Sequence, residues 1–215
     1  MATLASLAPM VALGAIATSA LALAALHVAS PEYAPSWRMI SEYANGKHGW
    51  LLTAVFLTWA LGSLALLVAL WPLASGGLAK AGLVLLALAA LGQAMGGPFD
   101  INHKLHGPAA MIGIPALAAA CVVLQIAMAR VPGLAVPPTW VAHLTWVSFA
   151  LMIATFFLFF AALKGAGIDP TAQSGPLAEL PAGVTGYLGW ANRLIFAGSY
   201  LWVGWMALGA LRATG

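Results

Sequence analysis

The chain has 215 residues, of which eight are Lys or Arg and five are Asp or Glu, so 6% are charged while 63% are hydrophobic. Soluble domains carry about 25% charged residues, and a mean hydropathy of +0.98 describes a surface that water could not solvate. These proportions exclude a soluble globular enzyme and a disordered chain, and a net charge of +3 is too small for a nucleic-acid-binding patch.

A membrane-spanning helix takes about 20 apolar residues. Apolar stretches lie at roughly 8–29, 49–72, 78–97, 108–130, 140–164 and 187–211. None alternates like a β-barrel strand. The expected fold is all-α: one polytopic membrane domain over residues 1–215, a six-helix transmembrane bundle. Met1 to Met10 contain no Lys or Arg, so the first run reads as a retained helix and not as a signal peptide. Its end carries His27. The first connection contains a short interfacial helix, with Ser36 as N-cap, Asn45-Gly46 as its stop and Arg38 and Glu42 at i,i+4 spacing. Trp37, Ile40, Ser41 and Ala44 would face the bundle, and Glu42 the charged rim.

The second and fourth connections, Pro72 to Gly77 and Val131 to Pro138, are plain turns. On the third helix Gly92-x-x-x-Gly96 is a close-packing surface for a neighbour inside the bundle. Pro115 interrupts the backbone ladder of the fourth helix. Cys121 reads as a buried small hydrophobe, and Gln93 and Gln125 as interhelical hydrogen-bonders. Trp50, Trp71, Trp140, Trp190 and Trp202 fall near predicted helix ends, as aromatic belts do. His143 is an interfacial anchor beside Trp140 and Trp146.

All five acids (Glu32, Glu42, Asp100, Asp169 and Glu179) lie in the first, third and fifth connections, which share one membrane face. Four of the five His residues join them when His27 is counted. The chemistry is one-sided. Lys and Arg, which the positive-inside rule counts, are nearly balanced between the faces, while net charge leans toward cytoplasmic termini; the expected location is an inner (plasma) membrane.

Three segments converge on this face: Met39 to Gly49, Gly96 to Pro108, and Gly189 to Arg193. Asp100, His103 and His106 are spaced i, i+3, i+6, which on a helical turn aligns a carboxylate and two imidazoles as a ligand set for zinc or another divalent ion. Pro98 and Pro108 bracket that stretch and interrupt a regular helix. Glu42, with Ser41 beside it, is the candidate catalytic pair. Arg193 lies a turn inside an apolar helix, where an unpaired charge costs a few kcal/mol. With Asn192 it is a contact for a substrate anion, or a brace through Glu42 or Asp100. A haem would need axial ligands at matched depth; His27 with His48 or His106 is the available arrangement, less favoured than a divalent metal.

At Ile40-Ser41-Glu42, at Phe99-Asp100 with His103 and His106, and at Asn192-Arg193 the chain resembles the DUF998 family of bacterial and archaeal integral membrane proteins. The resemblance covers about residues 8–211 and implies six helices and the location of a site, but no reaction. A fainter similarity, of ingredients only, is to ceramidase and progestin-receptor-type membrane hydrolases, which have seven helices and a His-x-x-x-His that this chain lacks.

Two functional readings follow. In the first, the odd face holds a site for a metal or a lipid headgroup and the protein acts at the membrane surface, as a hydrolase in its enzymatic version. In the second it is a non-catalytic accessory or scaffold subunit of a larger membrane complex, associated with haem or pigment. Membrane lipids are partners in either. The absence of charge in the middle of any helix speaks against an ion pump or proton-coupled transporter.

Overall fold

In a bilayer a spanning segment must satisfy its own backbone polar groups, which a helix does. The computed structural model describes residues 4–169 and 177–214, and among them no strand occurs. The helices are α1 (Leu4–Ala29), α2 (Gly49–Leu70), α3 (Gly76–Gly96), α4 (His106–Met128), α5 (Thr139–Gly165) and α6 (Leu188–Thr214). All six are long and apolar enough to cross a membrane. Consecutive helices pack side by side, α6 returns to α1, and α2 also touches α6. The result is a closed ring with α5 its most exposed member.

Lipid tails are as apolar as leucine, so close packing and buried hydrogen bonds must hold these helices together. The tightest approach is between α3 and α4. A Cβ added at Gly92 would collide with the Cα of Gly113 and come 2.7 Å from the carbonyl of Ala109. Gly96 takes the ring of Phe56 on α2 in the same way, at 2.8 Å. Both glycines of the pair therefore serve internal neighbours.

Polar ties cross the core at two levels. The Ser19 hydroxyl donates to the carbonyl of Val55 at 2.7 Å and lies 2.8 Å from the Tyr200 hydroxyl, joining α1, α2 and α6. Gln125 donates to Pro137 O, and its carbonyl accepts from the indole of Trp202 at 3.3 Å. Trp202 is thus fully buried and not part of an aromatic belt, because its N–H has an acceptor inside the bundle. Trp50, Trp71, Trp140 and Trp190 are exposed. Cys121 is buried and unpaired.

The glycine crossing generates an ordered expectation. Gly92→Ala should destabilise the protein by about 1–3 kcal/mol, the usual range for overpacking. Gly113→Ala should be milder, since its added Cβ would meet Gly92 at 3.2 Å. Thermal unfolding in detergent checks the order, and equal effects would mean that the helices part freely at this point.

Candidate functional site

The first connection folds over one end of the ring, and α6 pins it there. Gly189 N–H donates to Ser36 O at 3.0 Å. A Cβ on Gly189 would strike the carbonyl of Pro35 and lie 2.6 Å from that of Arg38, so only glycine permits this approach. Asn192 accepts from the backbone N–H of Ile40 at 2.8 Å.

The interfacial element is a single 3-10 helix, Ile40–Asn45, whose N-cap is Met39 and not Ser36, whose carbonyl serves α6. Glu42 reaches back to accept from Met39 N–H at 2.8 Å, satisfying a donor that a helix start leaves orphaned. Its other oxygen pairs with Arg38 at 2.6 Å. The i,i+4 pair is present, but it is buried. Glu42 therefore faces the protein rather than a charged rim, and both its oxygens are engaged. The Arg38 guanidinium lies over the Trp37 ring, 4.4 Å from its centroid.

Arg193 is satisfied without a carboxylate. Its Nε donates to His27 Nε2 at 2.6 Å, its Nη1 to the carbonyls of Arg38 and Gly189 at 2.7 and 3.1 Å, and its Nη2 to the Tyr43 hydroxyl at 3.2 Å. Glu42 is taken by Arg38, so the expected carboxylate brace becomes a brace of imidazole, carbonyl and phenol. Burial pushes the Tyr43 phenol above its ordinary range, and the Arg193 hydrogen bond pulls the other way. His27 also has its Nδ1 on Leu23 O at 2.7 Å, which leaves neither ring nitrogen open for an axial ligand.

Asp100, His103 and His106 lie in turns and at the start of α4, not along one helical face. Asp100 accepts from Asn102 N–H. His103 accepts at Nδ1 from Leu105 N–H and stacks on Phe99, centroids 4.6 Å apart. His106 has Nδ1 on Phe99 O at 2.9 Å, so that nitrogen carries a proton and, in the neutral ring, Nε2 is the acceptor. Among the described residues no three His, Cys, Asp or Glu form a metal-holding group. Asn102 donates to Asn45 at 2.9 Å and ties the third connection to the first.

Beneath these connections is a cavity of about 250 Å³. Ser41 and His106 stand among its walls at the polar end. On the α2 and α6 side it is lined by Phe56, Trp59 and Phe196, with Trp59 and Phe196 centroids 4.6 Å apart. On the α3 and α4 side the lining is Gly92, Gly96, Ala109 and Gly113. Half-buried Ala110, Ile114 and Met152 border it between α4 and α5.

Two of its polar side chains have no partner among the described residues. Gln93, 3% exposed, leaves both amide atoms unbonded, and Trp59, also 3% exposed, leaves its indole N–H unbonded. Gln93 is therefore not the interhelical hydrogen-bonder that its sequence context suggests; the neighbouring α4 surface is glycine and alanine and offers it no partner. No Asp, Glu, Lys or Arg among the described residues lines the cavity.

The family model described as a protein of unknown function, DUF998, matches residues 11–209. The chain belongs to the DUF998 family. No curated protein and no solved structure matches it.

Of the site residues read from the sequence of this DUF998 protein, Ser41, His106 and Asn192 line the cavity. Arg193 and Glu42 belong to the clamp above it, and Asp100 and His103 to the outer turns. Charge and spacing in the sequence do not single out Gln93 and Trp59 as site residues. They do carry a signal: Trp59 lies near the middle of its span, where no belt can use it, and Gln93 lies between Gly92 and Gly96.

The clamp sets a stability expectation. Arg193→Lys keeps the charge but not the fork of donors, and should lose about 2–4 kcal/mol. Tyr43→Phe should lose about 1 kcal/mol. Thermal melts of the purified variants measure both, and an unchanged Arg193→Lys protein would show that the clamp is not a brace.

Proposed function

We propose that this DUF998 protein binds a neutral amphipathic small molecule, with its polar head in the cavity and its tail leaving between α4 and α5 into the lipid. The observation that carries this reading is the Gln93 amide, buried in the cavity wall with no partner. An unsatisfied buried amide costs about 1–3 kcal/mol, and a ligand that bonds to it removes that cost. The lack of charged lining residues favours a neutral head over a phosphate or carboxylate. Arg193 then acts as the brace of the site's roof and not as an anion contact. Cytoplasmic termini in an inner membrane, the expectation from the sequence, would put the cavity mouth on the outer side.

A hydrolytic role has one observation in its favour. Ser41 and His106 line the same cavity, and the Phe99 carbonyl fixes the His106 tautomer that presents Nε2 as a base. Labelling by a fluorophosphonate probe, lost in Ser41→Ala and in His106→Gln, would support it; absence of labelling in the wild type would remove it.

The binding reading is tested by solvent extraction and mass spectrometry of the purified protein alongside Gln93→Leu. The wild type should carry a neutral amphiphile and the variant should not. Stripped of ligand, Gln93→Leu should be the more stable of the two by about 1 kcal/mol or more, because it removes an unpaired amide. A variant that is less stable than the ligand-free wild type would mean the amide is already satisfied, and the reading would fail.

A further inference from the structure

The shape and hydrogen-bonding inventory of the cavity narrow the class of ligand. This step rests on the binding reading above. Volume comes first. An engineered cavity of about 150 Å³ takes up benzene, so about 250 Å³ suits one substituted ring. It is too small for the fused rings of a sterol.

The walls come second. Aromatic rings of α2 and α6 form one side, and glycine and alanine of α3 and α4, with Gln93 and Ile114, form the other. An aromatic face stacks on a flat ring, while residues without long side chains let that ring approach the backbone closely.

The polar atoms decide the rest. Trp59 Nε1 can only donate, whereas the Gln93 amide both donates and accepts, and all three atoms lack partners. A carbonyl oxygen could accept from Trp59 or Gln93 but would leave the Gln93 carbonyl orphaned. A hydroxyl accepts and donates at once and answers both. At the end where α4 begins, the neutral His106 ring offers Nε2 as an acceptor, which asks for a second donor on the same molecule.

We infer that the ligand head is a single ring with two hydroxyls, a lipid-tailed quinol. One hydroxyl bonds Gln93 and Trp59, the other bonds His106, and the tail passes Met152 and Ile114 to the lipid. The reduced form binds more tightly than the oxidised form, because only the hydroxyl can donate to the Gln93 carbonyl.

The test uses the full chain in lipid nanodiscs, titrated with decyl-benzoquinol, with decyl-benzoquinone and separately with monooleoylglycerol, and followed by tryptophan fluorescence and by calorimetry. The quinol should saturate a site, and the quinone should bind about ten-fold more weakly, which corresponds to about 1.4 kcal/mol. Gln93→Leu and Trp59→Phe should each weaken quinol binding by about ten-fold, with helical circular dichroism unchanged. Equal affinity of wild type and Gln93→Leu for the quinol would mean partitioning into lipid, and the inference falls. Gln93-dependent binding of monooleoylglycerol without quinol binding leaves the neutral-amphiphile reading standing and overturns the ring. Binding of neither probe overturns both.

Discussion

A guanidinium placed a turn inside a membrane helix has to find acceptors in the protein, because the surrounding hydrocarbon offers none. Arg193 imposes that demand, and one end of the bundle is built to meet it. His27 at the end of α1, the Arg38 carbonyl and the Tyr43 hydroxyl of the first connection, and Gly189 one turn earlier all answer it. Gly189 lets the backbone come close enough, and Asn192 holds the start of the 3-10 helix. With those positions fixed, Glu42 and Arg38 neutralise each other in the interior, and Ser41 is left over the cavity.

The cavity persists for a related reason. The α3–α4 crossing at Gly92 and Gly113 is as close as backbones allow, while Phe56, Trp59 and Phe196 brace one another on the other side. Each wall is thus held by contacts of its own. Most buried polar groups in this bundle are matched, as those of Ser19, Gln125 and Trp202 are. Gln93 and Trp59 depart from that rule at the cavity, as Ser30, Ser63 and the Arg38 Nε do elsewhere. A fold that satisfies its other core amide, Gln125, and leaves this one open is consistent with a site.

Much of the architecture is legible in the sequence because a bilayer leaves few choices. Six apolar runs of sufficient length become six helices, and the predicted ends fall close to the observed ones. The clustering of acids and imidazoles at one end is legible for the same reason: charge has nowhere else to go. Side-chain pairing is less so. From spacing alone Glu42 could serve Arg38 or Arg193, and only the turn at Met39 decides it. Likewise, Gln125 and Gln93 look alike in sequence, but one meets Trp202 and Pro137 while the other faces glycines. The i, i+3, i+6 pattern of Asp100, His103 and His106 presumes a helix that Pro98, followed by turns through residue 105, does not form.

The clamp also orders the protein's assembly. Chains fold as they are made, N-terminal parts first, and α6 is synthesised after the other five helices. Until it arrives, the first connection has no Asn192 to hold Ile40 and no Arg193 to gather His27 and Tyr43. The roof of the cavity therefore closes late, when an early and a late part of the chain meet. Asn192 and Phe196 of α6 also line the cavity, so its wall is completed in the same step as its roof.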